Sequence, residues 1–184
     1  MFLKNAWYVA AWDHEVTAER PFGRCLLNEP VVLYRTRSGS AVALEDRCCH
    51  RHFPLHKGTV AGDFLECGYH GFTYDPSGAC VAVPGQTRIP RTARVPGYPV
   101  VELDSLVWVW IGDPARADAA AVPRAPWLDA PGWTTVRGME PLAARYGLLV
   151  DNLLDLSHET YLHGGWYSMS CQRSMRPSMP VDWA

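Results

Sequence analysis

Arg47-Cys48-Cys49-His50-Arg51-His52 and, further along, Cys67-Gly68-Tyr69-His70-Gly71 are the two stretches that decide the fold of this chain. The first contains a C-x-H motif and the second a C-x2-H motif, and the sixteen residues 51–66 lie between the two ligand sets. Two thiolates and two imidazoles either bind one metal ion or divide between two irons. The pair of motifs therefore predicts a metal centre built from two turn-rich loops.

The composition of each motif separates two interpretations. A set of two cysteines and two histidines is also typical of zinc, but zinc fingers usually pair cysteine with cysteine and histidine with histidine. Each motif here contains one of each. In a Rieske centre two histidines replace two cysteines on one iron of a [2Fe–2S] cluster, which raises the reduction potential. We predict that Cys48, His50, Cys67 and His70 hold such a cluster, with a zinc site as the alternative.

The other thiols and histidines near these motifs are not expected to be ligands. Cys49 adjoins a cysteine that already satisfies the C-x-H spacing, and His52 and His56 are typical of solvated loops. Cys25 and Cys80 lie in strand-like runs, which predicts buried free thiols.

Short runs of β-forming residues, separated by turn signals, fill the sequence up to residue 111. They predict strands at residues 7–10, 24–27, 31–34, 42–45, 64–67, 72–74, 81–83, 100–103 and 107–111. Val107-Trp108-Val109-Trp110 alternates with a period of two, which predicts a strand with two differently used faces. The expected fold is mostly β: an antiparallel β-sandwich domain followed by a partial α+β domain.

The pattern changes after residue 112, which suggests a division into three parts. Proline and glycine punctuate an Ala-rich stretch at 113–132, which predicts a linker with a helical turn near 114–121. Residues 133–145 are consistent with a strand, and 146–162 predict a helix with Leu149, Leu153, Leu156 and Thr160 on one stripe, ended by Gly164-Gly165. We therefore expect domains at 1–112 and 133–184, with the linker between them.

A second group of candidate ligands lies in the predicted helix. Asp155 and His158 are three residues apart and so neighbours on one helix face. His163 follows His158 by five residues, about 140° round a regular helix, so both bind one metal only if the helix ends or unwinds before His163. Two histidines with one carboxylate form the facial triad of non-haem Fe(II) oxygenases. Two surface histidines are the alternative, and the preceding cluster motif favours the iron site.

Composition excludes several other classes of function. Hydrophobic residues make up 48% and charged residues 20% of the chain, the net charge is −2 and the pI is about 6.4. These values are ordinary for a globular protein and give no electrostatic footprint for nucleic acid or an anionic membrane. We identify no signal peptide and no apolar stretch long enough to span a membrane, so we expect a cytoplasmic protein whose six cysteines bind metal or stay free.

The chain resembles the oxygenase (alpha) subunits of Rieske non-haem iron oxygenases, and within them the group similar to vanillate O-demethylase and dicamba monooxygenase. The resemblance runs from about residue 3 to residue 164. It is carried by residues 4–10, 46–55, 67–71, 84–86, 108–114 and 151–163.

The resemblance implies a role for each candidate residue. Cys48 and Cys67 would hold one iron of the cluster, and His50 and His70 the other. A mononuclear iron would be bound by His158 and His163, with Asn152 beside it, and Asp155 would connect His158 to the cluster ligand His70 of a neighbouring subunit. That arrangement implies a head-to-tail homotrimer.

The resemblance also implies an activity and its partners. A separate reductase would pass electrons from NAD(P)H to the cluster, and the iron would use O2 to hydroxylate or O-demethylate a small aromatic acid, as in aromatic compound catabolism. For a methoxy substrate, the resulting hemiacetal would collapse to a phenol and formaldehyde. The protein's share of this chemistry is positioning and control of electron transfer.

Two departures from the family pattern bear on these expectations. Cys49 stands where the family usually has proline. Family members also continue for well over a hundred further residues, which supply the carboxylate ligand of the mononuclear iron, and neither Glu159 nor Asp182 matches its position. The aperiodic sequence after Gly165 suggests a truncated chain with an aberrant tail. This favours a second hypothesis: an electron-transfer protein with a Rieske cluster and no oxygenase activity of its own.

Overall fold

The computed structural model describes residues 2–163. The chain divides into two compact units, residues 1–137 and residues 138–184. The described part of the first unit is built from β-strands and short 3-10 helices, and that of the second from short helices. This mostly β architecture with antiparallel sheets confirms the fold class expected from the sequence.

Eleven strands form three antiparallel sheets in the described chain. Their bounds are β1 Ala6–Trp12, β2 Phe22–Leu26, β3 Glu29–Arg35, β4 Ala41–Glu45, β5 Thr59–Ala61, β6 Phe64–Glu66, β7 Thr73–Tyr74, β8 Cys80–Ala82, β9 Gly97–Tyr98, β10 Val100–Leu103 and β11 Leu106–Ile111. The strand orders are β1-β11-β10, β2-β3-β4-β9 and β5-β6-β7-β8. All nine strands predicted from the sequence are present, eight of them with shifted ends, while β5 and β9 were not predicted.

The middle sheet separates two hydrophobic cores because both of its faces are buried. On β3, Val31 and Leu33 point into the core shared with β1 and β11, whereas Val32 and Tyr34 point into the core shared with the third sheet. All four side chains are fully buried. The second of these cores also contains Cys48 and Cys67, so the candidate ligand cysteines belong to the packed interior.

The outer face of the first sheet is covered by the stretch that the sequence suggested as a linker. Val122 is buried against Trp108 of β11, and the Trp7 indole N–H donates to the carbonyl of Asp118 at 2.8 Å. Short 3-10 helices at Pro114–Arg116 and Ala119–Ala121 lie where a helical turn was expected. The alternation in β11 is confirmed, because Trp108 faces this third cluster while Val107 and its period-two neighbours face the core.

The second unit corrects two predictions. Residues 133–145, of which the last eight belong to this unit, form no strand, and side chains such as Val136 are exposed rather than paired into a sheet. The single helix predicted at 146–162 is interrupted: α1 spans Tyr146–Leu154, a 3-10 turn spans Leu156–His158, and α2 spans Glu159–Leu162.

The break in the helix falls at Asp155, whose side chain accepts hydrogen bonds from Ser157 N at 3.0 Å and Ser157 Oγ at 2.5 Å. A short acidic side chain that binds the following backbone N–H favours a new helix start over continuation. No residue of α1 is buried, so the predicted apolar stripe has no core within the described chain. The predicted helix end at Gly164-Gly165, the sequence after it and Cys171 lie outside the described residues.

Cys25 is a further correction, because it is exposed, whereas Cys80 is buried as predicted. Cys25 lies on β2, an edge strand that pairs only with β3, and its side chain is on the outward face. Among the described residues no helix has the length and apolarity needed to cross a membrane.

Candidate metal centres

The two cysteine–histidine motifs adopt the same five-residue turn. In the first, Cys48 N–H donates to the carbonyl of Phe53 at 2.9 Å and His52 N–H donates to the carbonyl of Cys48 at 2.9 Å. In the second, Cys67 N–H donates to Phe72 O at 2.8 Å and Gly71 N–H donates to Cys67 O at 3.0 Å. The two turns therefore share one pattern of backbone hydrogen bonds, although the histidine follows the cysteine by two residues in the first turn and by three in the second.

Two glycines allow the turns to approach each other. A Cβ at Gly58 would lie 2.0 Å from the carbonyl oxygen of Glu66, and one at Gly68 would lie 2.8 Å from that of Lys57. Any larger residue at either position would push the second turn away from the first. These contacts bring residues nearly twenty positions apart in sequence to one site.

The four predicted ligands meet as two pairs. Cys48 and Cys67 are 2% and 1% exposed, and their sulfurs lie within hydrogen-bonding reach of each other. His50 and His70 are exposed, with ring centroids 4.8 Å apart and an interplanar angle of 62°. The site thus has a buried sulfur side and an exposed nitrogen side.

This division fits a cluster with one sulfur-bound and one nitrogen-bound iron. A zinc site would instead gather all four donors around a single ion. The chemistry of the donor set and its pairing therefore match the two-iron cluster.

Aromatic side chains support the imidazoles from across the two turns. Phe72 of the second turn stacks on His50 of the first, with centroids 4.9 Å apart and planes 10° apart. Phe53, at the end of the first turn, contacts Tyr69 of the second at 5.6 Å, and Tyr69 in turn lies 3.9 Å from His70. These contacts hold both rings in place at the surface.

Tyr74 places a hydroxyl group against the buried sulfurs. Its oxygen lies 3.0 Å from Cys48 Sγ, accepts from the Cys49 N–H at 3.1 Å and lies 3.3 Å from Cys49 Sγ. Burial raises the pKa of the Tyr74 hydroxyl far above its ordinary value, and the contact with Cys48 adds to this, so the group remains a proton donor. Nothing in the spacing of the motifs indicated this residue.

Burial also raises the pKa of the Cys67 thiol, while the backbone N–H groups of Tyr69 and His70 act in the opposite direction. Those N–H groups are aimed at the sulfur and favour the thiolate that a metal requires. Backbone donors of this kind are also a known control of iron–sulfur potentials.

His56 is held in place rather than solvated. Its backbone N–H donates to Asp46 Oδ1 at 2.7 Å and its Nδ1 contacts Asp46 Oδ2 closely. Asp46 is only 6% exposed, so this pair ties the start of the first turn to the 3-10 helix at Leu55–Lys57. His56 is a structural partner of that carboxylate, which the sequence had not indicated.

The second candidate centre lies in the helical unit. His158 and His163 have ring centroids 5.5 Å apart, and α2 ends at Leu162, directly before His163, as the spacing required. The chain also unwinds at Asp155, upstream of both histidines. His158 Nδ1 contacts the carbonyl oxygen of Asp155. Since a carbonyl only accepts, Nδ1 carries the proton and Nε2 keeps a lone pair suited to a metal. Nε2 lies 3.4 Å from Asn152 Nδ2.

Asp155 combines several contacts at this point. Its Oδ2 lies 3.9 Å from His158 Nδ1, and its hydrogen bonds with Ser157 lower its pKa. The side chain is 57% exposed, so part of the carboxylate remains open to a further partner.

Comparisons with known proteins match two separate parts of the chain. Residues 6–99 match the Rieske [2Fe-2S] domain family, and residues 142–181 match the vanillate O-demethylase oxygenase C-terminal domain family. The second match continues beyond Gly165, so our expectation that the sequence leaves the family pattern there was wrong.

Individual relatives agree with these matches. The iron–sulfur subunit of a toluene-4-sulfonate monooxygenase system from Comamonas testosteroni is 49% identical over 182 residues, which cover 99% of this chain and 52% of the relative. The oxygenase component of dicamba O-demethylase from Stenotrophomonas maltophilia is 45% identical over 88% of this chain and 48% of its own length.

A crystal structure of dicamba monooxygenase bound to dicamba superposes with a TM-score of 0.84 at 44% identity, over 88% of this chain and 48% of that one. This chain therefore spans about half the length of the curated relatives it matches.

Proposed function

This chain belongs to the Rieske [2Fe–2S] domain family, and on that basis we propose that it acts in the oxygenase component of a Rieske non-haem iron monooxygenase system. The proposed reaction is O2-dependent hydroxylation or O-demethylation of a small aromatic acid. The observation that carries the proposal is the paired geometry of the cysteine–histidine turns, followed in the same chain by a match to an oxygenase C-terminal domain.

Each half of the proposed cluster site has its own task. Cys48 and Cys67 hold the buried iron, and His50 and His70 hold the exposed one. When bound, the cluster accepts and passes on single electrons. The buried side fixes the sulfurs through core packing and the Tyr74 hydroxyl, while the imidazoles stand at the surface where an electron enters or leaves.

We further propose that His158 and His163 hold the mononuclear iron, which activates O2 when bound. His158 is oriented by the Asp155 carbonyl, so its Nε2 is the ligating atom, and Asn152 lies beside that nitrogen. A third, carboxylate ligand would come from the portion of the relatives that this chain does not cover. The exposed part of the Asp155 carboxylate supports a contact with His70 of a neighbouring subunit in a head-to-tail homotrimer.

The proposed partners are a reductase that draws electrons from NAD(P)H, O2 and an aromatic substrate. Relatives are described as oxygenase components, which supports a separate electron donor. The described cysteines Cys25, Cys48, Cys49, Cys67 and Cys80 are all free thiols, which supports a reducing, cytoplasmic location.

The experiment that tests the cluster is anaerobic reconstitution with iron and sulfide, followed by visible and electron paramagnetic resonance (EPR) spectroscopy. We expect a coloured protein with a Rieske-type signal after reduction. Replacement Cys48→Ser should abolish the signal, while the matched variant Cys49→Ser should retain it, because only Cys48 faces Cys67. A colourless wild-type protein would overturn the proposal, and retention of the signal in Cys48→Ser would overturn the ligand set.

The iron content separates the oxygenase from an electron carrier. In a protein that includes the portion supplying the third ligand, three irons per chain and turnover of methoxybenzoates in the presence of a reductase are expected for the oxygenase. Two irons per chain without turnover would favour the electron-transfer alternative.

A further inference from the structure

Asp46 and His56 form a pair that brackets the first turn. Asp46 precedes Cys48, and His56 follows Phe53, where the turn closes. The Asp46 carboxylate accepts a hydrogen bond from the His56 backbone N–H at 2.7 Å and a second one from the His56 ring. Because a carboxylate only accepts, His56 Nδ1 carries the proton of the second bond. The two ends of the turn are thus joined to each other, and we call this contact the Asp46–His56 clamp.

The Asp46–His56 clamp is fixed to two strands of the middle sheet. The Asp46 N–H donates to the carbonyl of Pro30 on β3 at 2.9 Å. On β2, a Cβ at Gly23 would lie 2.8 Å from His56 Cγ and 3.0 Å from His56 Nδ1, so the imidazole packs directly on the glycine backbone. Any larger residue at position 23 would force the ring to move relative to the Asp46 carboxylate.

The clamp also reaches the second turn, through the backbone that follows His56. His56 is the middle residue of the 3-10 helix Leu55–Lys57, and the fully buried side chain of Leu55 anchors this helix in the core. A Cβ at Gly68, in the second turn, would lie 2.8 Å from the carbonyl oxygen of Lys57. A shift of His56 would therefore move the backbone on which the second turn rests.

A second aspartate–histidine pair in the same unit shows how the clamp differs from a surface contact. The His14 N–H donates to Asp13 Oδ1 at 2.7 Å, but the His14 ring lies 3.5 Å from that oxygen and both side chains are open to solvent. Asp46 is only 6% exposed. Loss of a donor to a buried carboxylate leaves an acceptor without water to replace it, so the clamp resists opening.

We infer that His56 is a positioning residue for the cluster, an inference that rests on the proposed function. Through the Asp46–His56 clamp it fixes the first turn, and through the Lys57 carbonyl it fixes the separation of the second turn from the first. It thereby sets the spacing between His50 and His70 and slows the loss of the cluster. Residues that support metal ligands from outside commonly change metal affinity in this way.

Release of the cluster to an iron chelator measures this positioning. The reconstituted 184-residue chain is mixed with excess EDTA, and the loss of visible absorption is followed over time. Cluster loss should be about ten-fold faster in His56→Leu, which keeps an apolar side chain and removes the donor. In His56→Asn it should stay within about two-fold of the wild type, because the amide N–H can replace the ring N–H. The EPR g values should shift in His56→Leu and return to those of the wild type in His56→Asn.

Gly23→Ala tests the same contact from β2, with both clamp residues intact. The added methyl group would displace the His56 ring, so cluster loss should again be faster, by about ten-fold. Gly112→Ala is the matched control, because a Cβ there would lie 2.4 Å from Asn5 Oδ1, at the end of β11 and outside both ligand turns. Gly112→Ala should lower the free energy of unfolding in a urea titration and leave the EPR g values unchanged.

The outcomes separate positioning from a general loss of stability. Equal rates of cluster loss in the wild type, His56→Leu and Gly23→Ala would overturn the inference. So would a rate in Gly112→Ala that is raised as much as in Gly23→Ala, because cluster loss would then follow global unfolding. A His56→Asn protein that loses its cluster as fast as His56→Leu would overturn the role of the hydrogen bond. A wild-type chain without an EPR signal would defeat the proposed function as well, whereas stable clusters in every variant would defeat only the role of His56.

Discussion

Replacement of Tyr74 by phenylalanine is the sharpest test of how the fold controls the cluster. The substitution keeps the buried ring and removes the hydroxyl that lies 3.0 Å from Cys48 Sγ. A donor at a sulfur ligand stabilises the more negative, reduced cluster, so its loss lowers the reduction potential. The expected change in Tyr74→Phe is therefore negative.

The magnitude follows from the hydrogen bond. A hydrogen bond to a charged group contributes about 2 kcal/mol, and about half of it distinguishes the reduced from the oxidised cluster. With 59 mV per tenfold change for a one-electron couple, the potential should fall by about 40 mV. The Cys49 N–H also loses its acceptor, which should lower the free energy of unfolding by about 1–3 kcal/mol.

The assay is a redox titration followed by EPR on the reconstituted protein. Tyr34→Phe is the matched control, because Tyr34 is fully buried in the same core but its hydroxyl donates to the Asp63 carbonyl at 3.1 Å, away from the sulfurs. Its potential should equal that of the wild type. An unchanged or raised potential in Tyr74→Phe, with an intact cluster spectrum, would refute the reasoning.

Two further predictions concern stability. Gly78→Ala should lower the free energy of unfolding, measured by urea titration, by more than about 2 kcal/mol, because φ is +81° and a Cβ would lie 2.1 Å from the Val95 carbonyl oxygen. The control Gly39→Ala, with φ +90° and no atom near the added Cβ, should lower it by about 1 kcal/mol. Equal losses in the two variants would contradict this account. Asp104→Asn should destabilise the protein at neutral pH, since hydrogen bonds from Arg124 lower the pKa of Asp104. A carboxyl pKa that is lower in the folded than in the unfolded protein stabilises the fold at pH values above the unfolded pKa of about 3.9. The difference in free energy of unfolding between Asp104→Asn and the wild type should therefore shrink as the pH falls below about 4. A difference that persists at about pH 2 would exclude the ion pair as its cause.

Sequence patterns predicted the strands whose side chains alternate or form apolar runs, and missed those defined by their partners. β11 alternates clearly, whereas β5 and β9 have three and two residues and no periodicity of their own. β9 exists because Tyr98 pairs with Ala43 of β4, a contact between distant parts of the chain. The unpaired stretch at 133–145 shows the reverse error, since suitable residues form a strand only beside a partner.

The candidate site was predictable where spacing carries chemistry. Two mixed motifs predicted four ligands, and the structure gathers these four side chains into two pairs. The supporting residues were not predictable, because Tyr74 and Asp46 reach the site only through tertiary packing. At Asp155 helical periodicity was misleading, because the Asp155–Ser157 hydrogen bonds compete locally with continuation of the helix.

β3 contributes side chains to a core on each of its two faces, so both cores depend on its register. A slip of one residue would send Val31 and Leu33 into the metal-side core and place Tyr34, with its hydroxyl, among the small side chains of the opposite core. The same register error would disrupt the packing of both cores, so good packing in one core could not offset poor packing in the other. Correct packing of the core that contains Cys48 and Cys67 therefore depends on the same strand register as correct packing of the core between β3 and β11.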